Sequence, residues 1–393
     1  MKIKPLNHIV VILTVTLLTT GCWDRTELND QALVMASGVD LTPDNELLLT
    51  DQVVLPINLS KGLGSSRQEF LTLSATGRDI LDASQNLQSK LSRKYFLGHR
   101  RIVFIGEKAA KHGLSHMMDE YTRNPDVRLR SDIFVVKNNT ATQALQIKAP
   151  LEQFPALAVI KSRQFVGGKV GTTLVSFLRA GACNTSCPTL PVLEIVTGTT
   201  DSDEQVLQFS GRAIFDRQLK LVGYLDYYGA AYRFWVMNTL TRFKTTFYVP
   251  EGKGYATMDV SHFGSRIEPI LKDGKLQYVV TLGGKGILRE SETSIKFKNP
   301  KQLEILNRAA EAEVVKNASQ VISTAQGYHT DILGFDMAMA RKYPRQWKVM
   351  KSQWNKIFPD LPVHVRAHIQ IRVVGLTSES VVSPKYSGKD RSW

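Results

Sequence analysis

The chain has 393 residues, 43% of them hydrophobic and 22% charged, an ordinary balance for a folded body and not that of a disordered or collagen-like chain. Its length exceeds what one core usually organises, so two or three domains are expected. Lys and Arg outnumber Asp and Glu by 50 to 36, giving a net charge of +14 and inviting nucleic acid, anionic lipid or an acidic protein surface as a partner.

The first element is a leader. Lys2, Lys4 and His8 precede an apolar run from Ile9 to Leu18, and Thr19, Thr20 and Gly21 follow, the order of charge, grease and small residues found in an export signal. The run is about half the roughly 20 apolar residues that a membrane-crossing helix needs. The small residues end at Cys22, a pattern that resembles the bacterial lipoprotein signal, in which diacylglycerol is attached to the cysteine thiol. One departure is Thr19, at a place where such signals usually carry a branched apolar residue. Export disfavours nucleic acid, and for a tethered chain each basic residue near an anionic leaflet adds about 1 kcal/mol, so an anionic membrane surface or a membrane-embedded partner is expected. Trp23 suits a bilayer interface, and Arg25, Glu27 and Asp30 beside it either meet a partner or solvate a linker.

From Ala32 strands and helices alternate. "ALVMASGVD" and "ELLLTDQVVL" read as strands, "SKGLGSSRQ" as a loop and "EFLTLSATG" as a third strand. The spacing of Ile80, Ala83, Leu87 and Leu91 predicts an amphipathic helix. "RRIVFIG" predicts a strand, "EKAAKHGLSHMMDEYTR" one helix and "RSDIFVVK" a strand, so this half is mixed α and β. His99, Arg100 and Arg101 either grip an anion or form an exposed strand edge with one ion pair. Cys183 and Cys187, in "GACNTSCPTLP", are candidates for a disulfide or for free thiols; no histidine lies near enough in sequence for a zinc site, and no cofactor is indicated beyond the lipid on Cys22.

The polar run from Thr197 to Gln205 marks the expected boundary between two halves. After it come strands "VLQFSGRAIFD" and "KLVGYL", a helix through Tyr232 and Trp235, and strands near "RFKTTFYV", "GYATMDVSHF", "SRIEPILK" and "KLQYVVTLGG", the last two joined by "KDGK", a hairpin signal. An antiparallel sheet is expected. "GGKG" from Gly283 lacks the spacing of a phosphate loop and reads as a bulge or turn. Leu303, Leu306, Ala310, Val314, Val321 and Ala325 predict a long helix ending at Gly327. Two shorter helices follow, with Trp347 and Trp354 on one face, read as buried against the sheet or as aromatic anchors for a partner. Asp331 and Asp336 stand about 140° apart on a helix and suit capping, or an ion pair to Arg341 or Lys342, better than a carboxylate dyad. A closing strand, "VHVRAHIQIRVVG", alternates Val363, Val365, Ala367, Ile369, Ile371 and Val373 inward with His, Arg and Gln outward. Residues 377–393 lack a pattern and read as a flexible tail.

The segments "GCWDRTELND", "SGVD", "DQVVLP", "LGHRRIVFIGE", "YTRNPDVRLRSDIFVVK", "GRAIFDRQLKLVGYL", "TDILGFD", "YPRQWKVMKSQWNKIFPD" and "VHVRAHIQIRVVG" follow one another in an order and spacing that resembles the Ger(x)C family, the lipid-anchored C subunits of bacterial spore germinant receptors. The resemblance implies an α+β fold of mixed sheets and packed helices. It has a signal peptide at 1–21, an N-terminal module at 22–198 that divides into two subdomains, and a C-terminal module at 199–376 with an antiparallel-rich sheet and a long helix. It implies a non-enzymatic subunit carrying diacylglycerol and an N-acyl chain on Cys22, held at the outer face of the spore inner membrane beside integral A and B subunits. The alternative is a solute-binding lipoprotein that captures the nutrient itself. H-E-x-x-H, G-x-S-x-G and G-x-x-x-x-G-K-[ST] are all absent.

Overall fold

The structure is a computed structural model that describes residues 27, 30–54, 70–124, 127–148, 152, 155–163, 173–183, 185–198, 204–295 and 299–372. The leader, Cys22, Trp23, Arg25, the "SKGLGSSRQ" loop, Val373 and the tail lie outside them.

A nine-stranded mixed sheet organises the first part of the chain. Its strands are β1 (Gln31–Leu41), β2 (Leu47–Val54), β3 (Phe70–Gly77), β4 (Lys94–Phe96), β5 (Ile102–Gly106), β6 (Asp132–Val136), β7 (Thr189–Thr197), β8 (Gln205–Phe215) and β9 (Leu221–Asp226). They run in the order β3-β2-β1-β5-β6-β7-β8-β9, with β4 also on β1. The centre is parallel, β1 to β5 to β6 to β7, and the flanks are antiparallel. Every residue of β5 and β6 is buried, because a central parallel strand is covered on both faces. Val103, Ile105, Ile133 and Val135 face one core, shared with α1 (Ile80–Gln88), α2 (Glu107–His112), α3 (Ser115–Arg123) and α6 (Leu174–Ala182). Phe104, Phe134 and Val136 face the other, under α4 (Ala141–Gln146) and α5 (Pro155–Arg163).

Ile80, Ala83 and Leu87 are buried as their spacing predicts. The single helix expected from Glu107 to Arg123 is two helices instead. Gly113, at φ +118°, turns the chain between α2 and α3, and the next amide bonds the Leu219 carbonyl. Helix α1 and the turn after it also close the β3 edge: Asn86 Nδ2 donates to the Thr76 carbonyl at 2.9 Å and Lys90 Nζ to that of Ser74 at 2.6 Å.

The expected boundary at Thr197 to Gln205 does not separate two sheets. Thr197 and Gln205 are paired residues of the β7–β8 hairpin, so the large sheet passes through the boundary and takes β8 and β9 from beyond it. The reason is local: β8 continues the apolar pattern that β7 needs as a neighbour, with Ala213, Ile214 and Phe215 buried.

The second sheet has four strands in the order β10 (Phe243–Val249), β11 (Gly254–Lys272), β12 (Lys275–Ser291) and β13 (Val363–Arg372). Asp273 and Gly274, both at positive φ, make the β11–β12 turn that "KDGK" predicts. The two strands expected over Gly254–Lys272 are one, kinked by a register shift between Ser261 and Gly264, and "GGKG" lies in β12 across from that bulge. β13 departs from the antiparallel expectation and runs parallel to β12. The crossover that a parallel pair requires is supplied by α8 (Pro300–Gly327), α9 (Phe335–Lys342), α10 (Pro344–Met350) and α11 (Trp354–Ile357). Helix α8 buries Leu306, Ala310, Val314, Ala318, Val321, Ile322 and Ala325 against one face of this sheet, beside α7 (Tyr227–Val236). Leu303 is only half-buried. A side chain at Gly284 would meet Val260 and the Trp235 ring at about 3 Å, so α7 sits down on β12 only because no side chain is there. β13 shows the predicted alternation, with Ala367, Ile369 and Ile371 buried, whereas Val363 and Val365 are half-buried.

At Gly211, φ is +149° and a Cβ would lie 1.9 Å from the Leu225 carbonyl oxygen, whereas a Cβ at Gly264 would meet nothing. Gly211→Ala is expected to lower stability by about 1–3 kcal/mol or more, and Gly264→Ala to change it by less than about 1 kcal/mol. The shift in urea midpoint of the two variants checks this, and equal shifts would contradict the placement of Gly211.

Candidate functional site

Of the residues at the anchored end, Glu27 and Asp30 are described, and both are exposed. The Asp30 amide closes a turn on the Glu27 carbonyl at 3.0 Å, and the chain passes directly into β1, where Gln31 pairs with Lys94 of β4.

Arg100 is not at an exposed edge. It is buried, its guanidinium lies 4.8 Å from the centre of the Tyr121 ring, and Nη1 reaches Ser37 Oγ at 3.5 Å. Arg101 is exposed. Asp51, fully buried nearby, accepts from the Tyr95 hydroxyl, and its carboxyl is pushed above its ordinary value by burial in spite of that bond and of the Arg100 charge. This cluster sits inside the sheet. A buried pair of opposite charges without solvent access is a packing constraint rather than a binding site.

The polar groups that converge most closely lie where the two sheets meet. Asp331 and Asp336 are both buried. Asp331 Oδ1 accepts from the amides of Leu333, Gly334 and Phe335 at 2.9 to 3.2 Å. Its Oδ2 accepts from the Asp336 amide at 2.8 Å and from Trp354 Nε1 at 3.0 Å. Asp331 thus caps the start of α9, as its position suggests. Asp336 does not pair with Arg341 or Lys342; Lys342 reaches Glu268 instead, at 2.7 Å. Asp336 Oδ2 receives the hydroxyls of Thr185 and Ser186 at 2.5 and 2.6 Å, and the Cys187 amide donates to the Asp331 carbonyl at 3.0 Å. The segment entering β7 is therefore knotted to the loop entering α9. Arg212 and Arg233, also buried, flank the joint. Arg212 donates to Thr189 Oγ1 and to its carbonyl at 2.9 and 2.8 Å, and burial lowers the affinity of both guanidiniums for their protons.

Trp354 is buried with Phe335 and Phe358, and Trp347 packs edge-on against it at 5.1 Å, so this pair belongs to the core. The candidate disulfide is not formed: Cys183 and Cys187 are free thiols. Cys183 ends α6 in an exposed position, while Cys187 is drawn into the second core, where burial and then the Asp331 charge push its thiol up to about 12. Among the described residues no three His, Cys, Asp or Glu side chains gather as metal ligands. Two clefts border the joint and share Arg217: one of about 520 Å³ with Cys187, Thr330, Lys356 and Asp360 in its walls, and one of about 470 Å³ with Cys183, Lys348 and Lys351.

The sequence reading did not anticipate Thr185, Ser186, Arg212 or Arg233. Two adjacent hydroxyls before a strand were the only trace of the first pair, and arginines within apolar strands and helices were the only trace of the second.

The chain belongs to the Ger(x)C family of spore germination proteins. Residues 24–195 match the model of the spore germination protein N-terminal domain and residues 210–375 that of the B3/GerAC-like C-terminal domain. The gap between the two matches falls on the β7–β8 hairpin. Spore germination protein KC of Bacillus subtilis is 28% identical over 98% of this chain and 99% of that relative. Spore germination protein B3 of the same organism is 23% identical over 91% and 95%. The crystal structure of the GerBC protein superposes with a TM-score of 0.58 at 18% identity, covering 85% of this chain and 96% of that one, and so shares its α+β fold.

Burial, and next the charge of Asp336, push the Asp331 carboxyl up to about 6 from its ordinary value near 3.8. The folded chain then holds this proton more tightly than the unfolded chain, so stability rises as pH falls from about 7 through 6, and the gain is complete near pH 4. Its size is on the order of a few kcal/mol at most. Asp331→Asn is expected to be less stable at every pH and to lack this gain; unfolding midpoints at pH 7.5 and 5 check it, and parallel profiles of the two proteins would contradict it.

Proposed function

We propose that this chain is the lipid-anchored, non-enzymatic C subunit of a nutrient germinant receptor, acting in spore germination through integral membrane A and B subunits. The observation that carries this reading is the placement of the two family matches, which begin at residue 24, two positions after Cys22, and run to residue 375. The lipid on Cys22 is the attachment that the leader leads us to expect; among the described residues no helix is long and apolar enough to cross a membrane. One acyl chain holds a protein only marginally, and a diacylglycerol with an added N-acyl chain holds it stably at the outer face of the spore inner membrane. The carboxylate oxygens at the joint are taken up by amide, indole and hydroxyl donors, which suits a rigid connecting role better than acid–base chemistry.

A second reading, a lipoprotein that captures the nutrient itself, is favoured by the two clefts beside the joint. Titration calorimetry with amino acids, sugars and nucleosides separates the two, since measurable heat would support capture and its absence the subunit role.

Cys22→Ala is expected to shift the protein from the membrane to the soluble fraction of broken spores and to slow nutrient-triggered loss of absorbance by at least about tenfold. Wild-type membrane retention together with wild-type germination would contradict the proposal.

A further inference from the structure

The nine-stranded sheet is covered by helices on both faces, but the second sheet is covered by the described residues on one face only, which leave its other face open. The open face is cationic in a way that the overall charge does not by itself explain. The outward row of β13 reads His364, Arg366, His368, Gln370 and Arg372, all exposed and without a carboxylate. Register extends the row across the sheet: Thr281 stands between Arg366 and Arg266, and Lys285 stands beside Gln370. The carboxylates that could neutralise this area are engaged. Asp259 is held by Arg289 at 3.4 Å, Glu268 by Lys342 at 2.7 Å, and Glu311 of α8 accepts from the Ile369 amide at 3.0 Å. Glu290, exposed on β12 opposite Thr257, lies beyond the Ile287–Arg372 end of the row. Lys285, Arg366 and Arg372 form no ion pair with any described residue, and Arg266 makes none within 4 Å, although its charge reaches Glu268 beside that of Lys342.

Shape points the same way. The middle of the face is the Gly264–Gly283 pair, where a Cβ would meet nothing at the first position and only the His368 carbonyl, at 4.0 Å, at the second. Neutral positions around it are Thr281, Ser261 and Gln370, and Val279 and Ile287 are half-buried. A protein interface of lasting affinity has an apolar core depleted of charge, with aromatic anchors. This face has no aromatic side chain at its centre, its exposed Tyr248–Tyr255 pair lying out at β10, and it presents cations around a bare Gly264–Gly283 middle, which suits a layer of phosphate headgroups.

We infer that the open face of the β10–β13 sheet seats on anionic lipid headgroups, with Arg266, Lys285, Arg366 and Arg372 as the contacting cations. The inference rests on the membrane location proposed above and deepens it: the lipid at Cys22 holds the chain to the bilayer, and this face sets which side of the C-terminal module looks at it.

The test uses the full chain with Cys22→Ala, so that no covalent lipid is present, and measures flotation with vesicles of phosphatidylcholine alone or with about one-third phosphatidylglycerol. Each cation contributes roughly fivefold to partitioning onto an anionic surface. The expected result is binding to the anionic vesicles at least tenfold stronger than to the neutral ones, reduced at least tenfold by Arg366→Ser with Arg372→Ser, weakened by salt and retained by Arg366→Lys with Arg372→Lys. The leader, with Lys2 and Lys4, favours anionic vesicles equally in parent and variants and cancels when they are compared, and unchanged melting temperatures show that the variants fold. Equal binding to the two vesicle types, or serine variants that bind like the parent, would overturn the inference. So would serine variants that keep vesicle binding but lose crosslinks to an acidic protein in spores, which would make that protein the occupant. A failure here leaves the Cys22 anchor standing, since that anchor is read out separately by fractionation of lipidated protein.

Discussion

The rest of the molecule depends on Asp331, whose carboxylate is taken out of water and which, with its backbone carbonyl, gathers donors from three parts of the chain. It accepts the amides that open α9 and the indole of Trp354, while its own carbonyl receives the Cys187 amide. Asp336, a turn later, collects the hydroxyls of Thr185 and Ser186. A hydrogen bond to a charged group contributes about 1.5–3 kcal/mol, and a domain's entire stability is only about 5–15 kcal/mol, so pulling this joint apart would remove a large share of it. The β7–β8 hairpin adds a second tie of a different kind, since it carries the large sheet across the gap between the two family matches. The sheets do not divide where the two family matches do.

That construction suits a part which connects other parts. Two sheet edges are closed from within: Asn86 of α1 and Lys90 just after it bond the outer carbonyls of β3, and Glu311 and Asn307 of α8 bond the outer amides of β13, so neither edge is free to pair with another strand. The open surfaces are then the clefts at the joint and the cationic face of the second sheet. A body fixed at the joint, if tied to the bilayer and oriented by charge as proposed, would present a constant surface to its partners.

Much of this was legible in the sequence because it depends on neighbours in the chain. The apolar runs of β1, β2 and β3, the alternation of β13, the helical stripe of α8 and the Asp273–Gly274 turn are all local signals. What the sequence concealed depends on distance. Gly113 looks like one weak residue in a helix until the Leu219 carbonyl is placed beside it. Arg100 looks like a surface cation until Tyr121 and Asp51 arrive from other elements. Cys183 and Cys187 have the spacing of a pair, yet one ends a helix in solvent while the other is drawn into the second core. The parallel setting of β13 follows from a crossover through α8 to α11 that no strand pattern announces, and the hydroxyls of Thr185 and Ser186 acquire meaning only through an aspartate about 150 positions away.

If the buried joint makes the two modules one cooperative body, differential scanning calorimetry of the full chain at neutral pH should show a single transition whose calorimetric and van't Hoff enthalpies agree. Two resolved transitions, with the four-stranded sheet melting apart from the nine-stranded one, would mean that the joint does not hold them together.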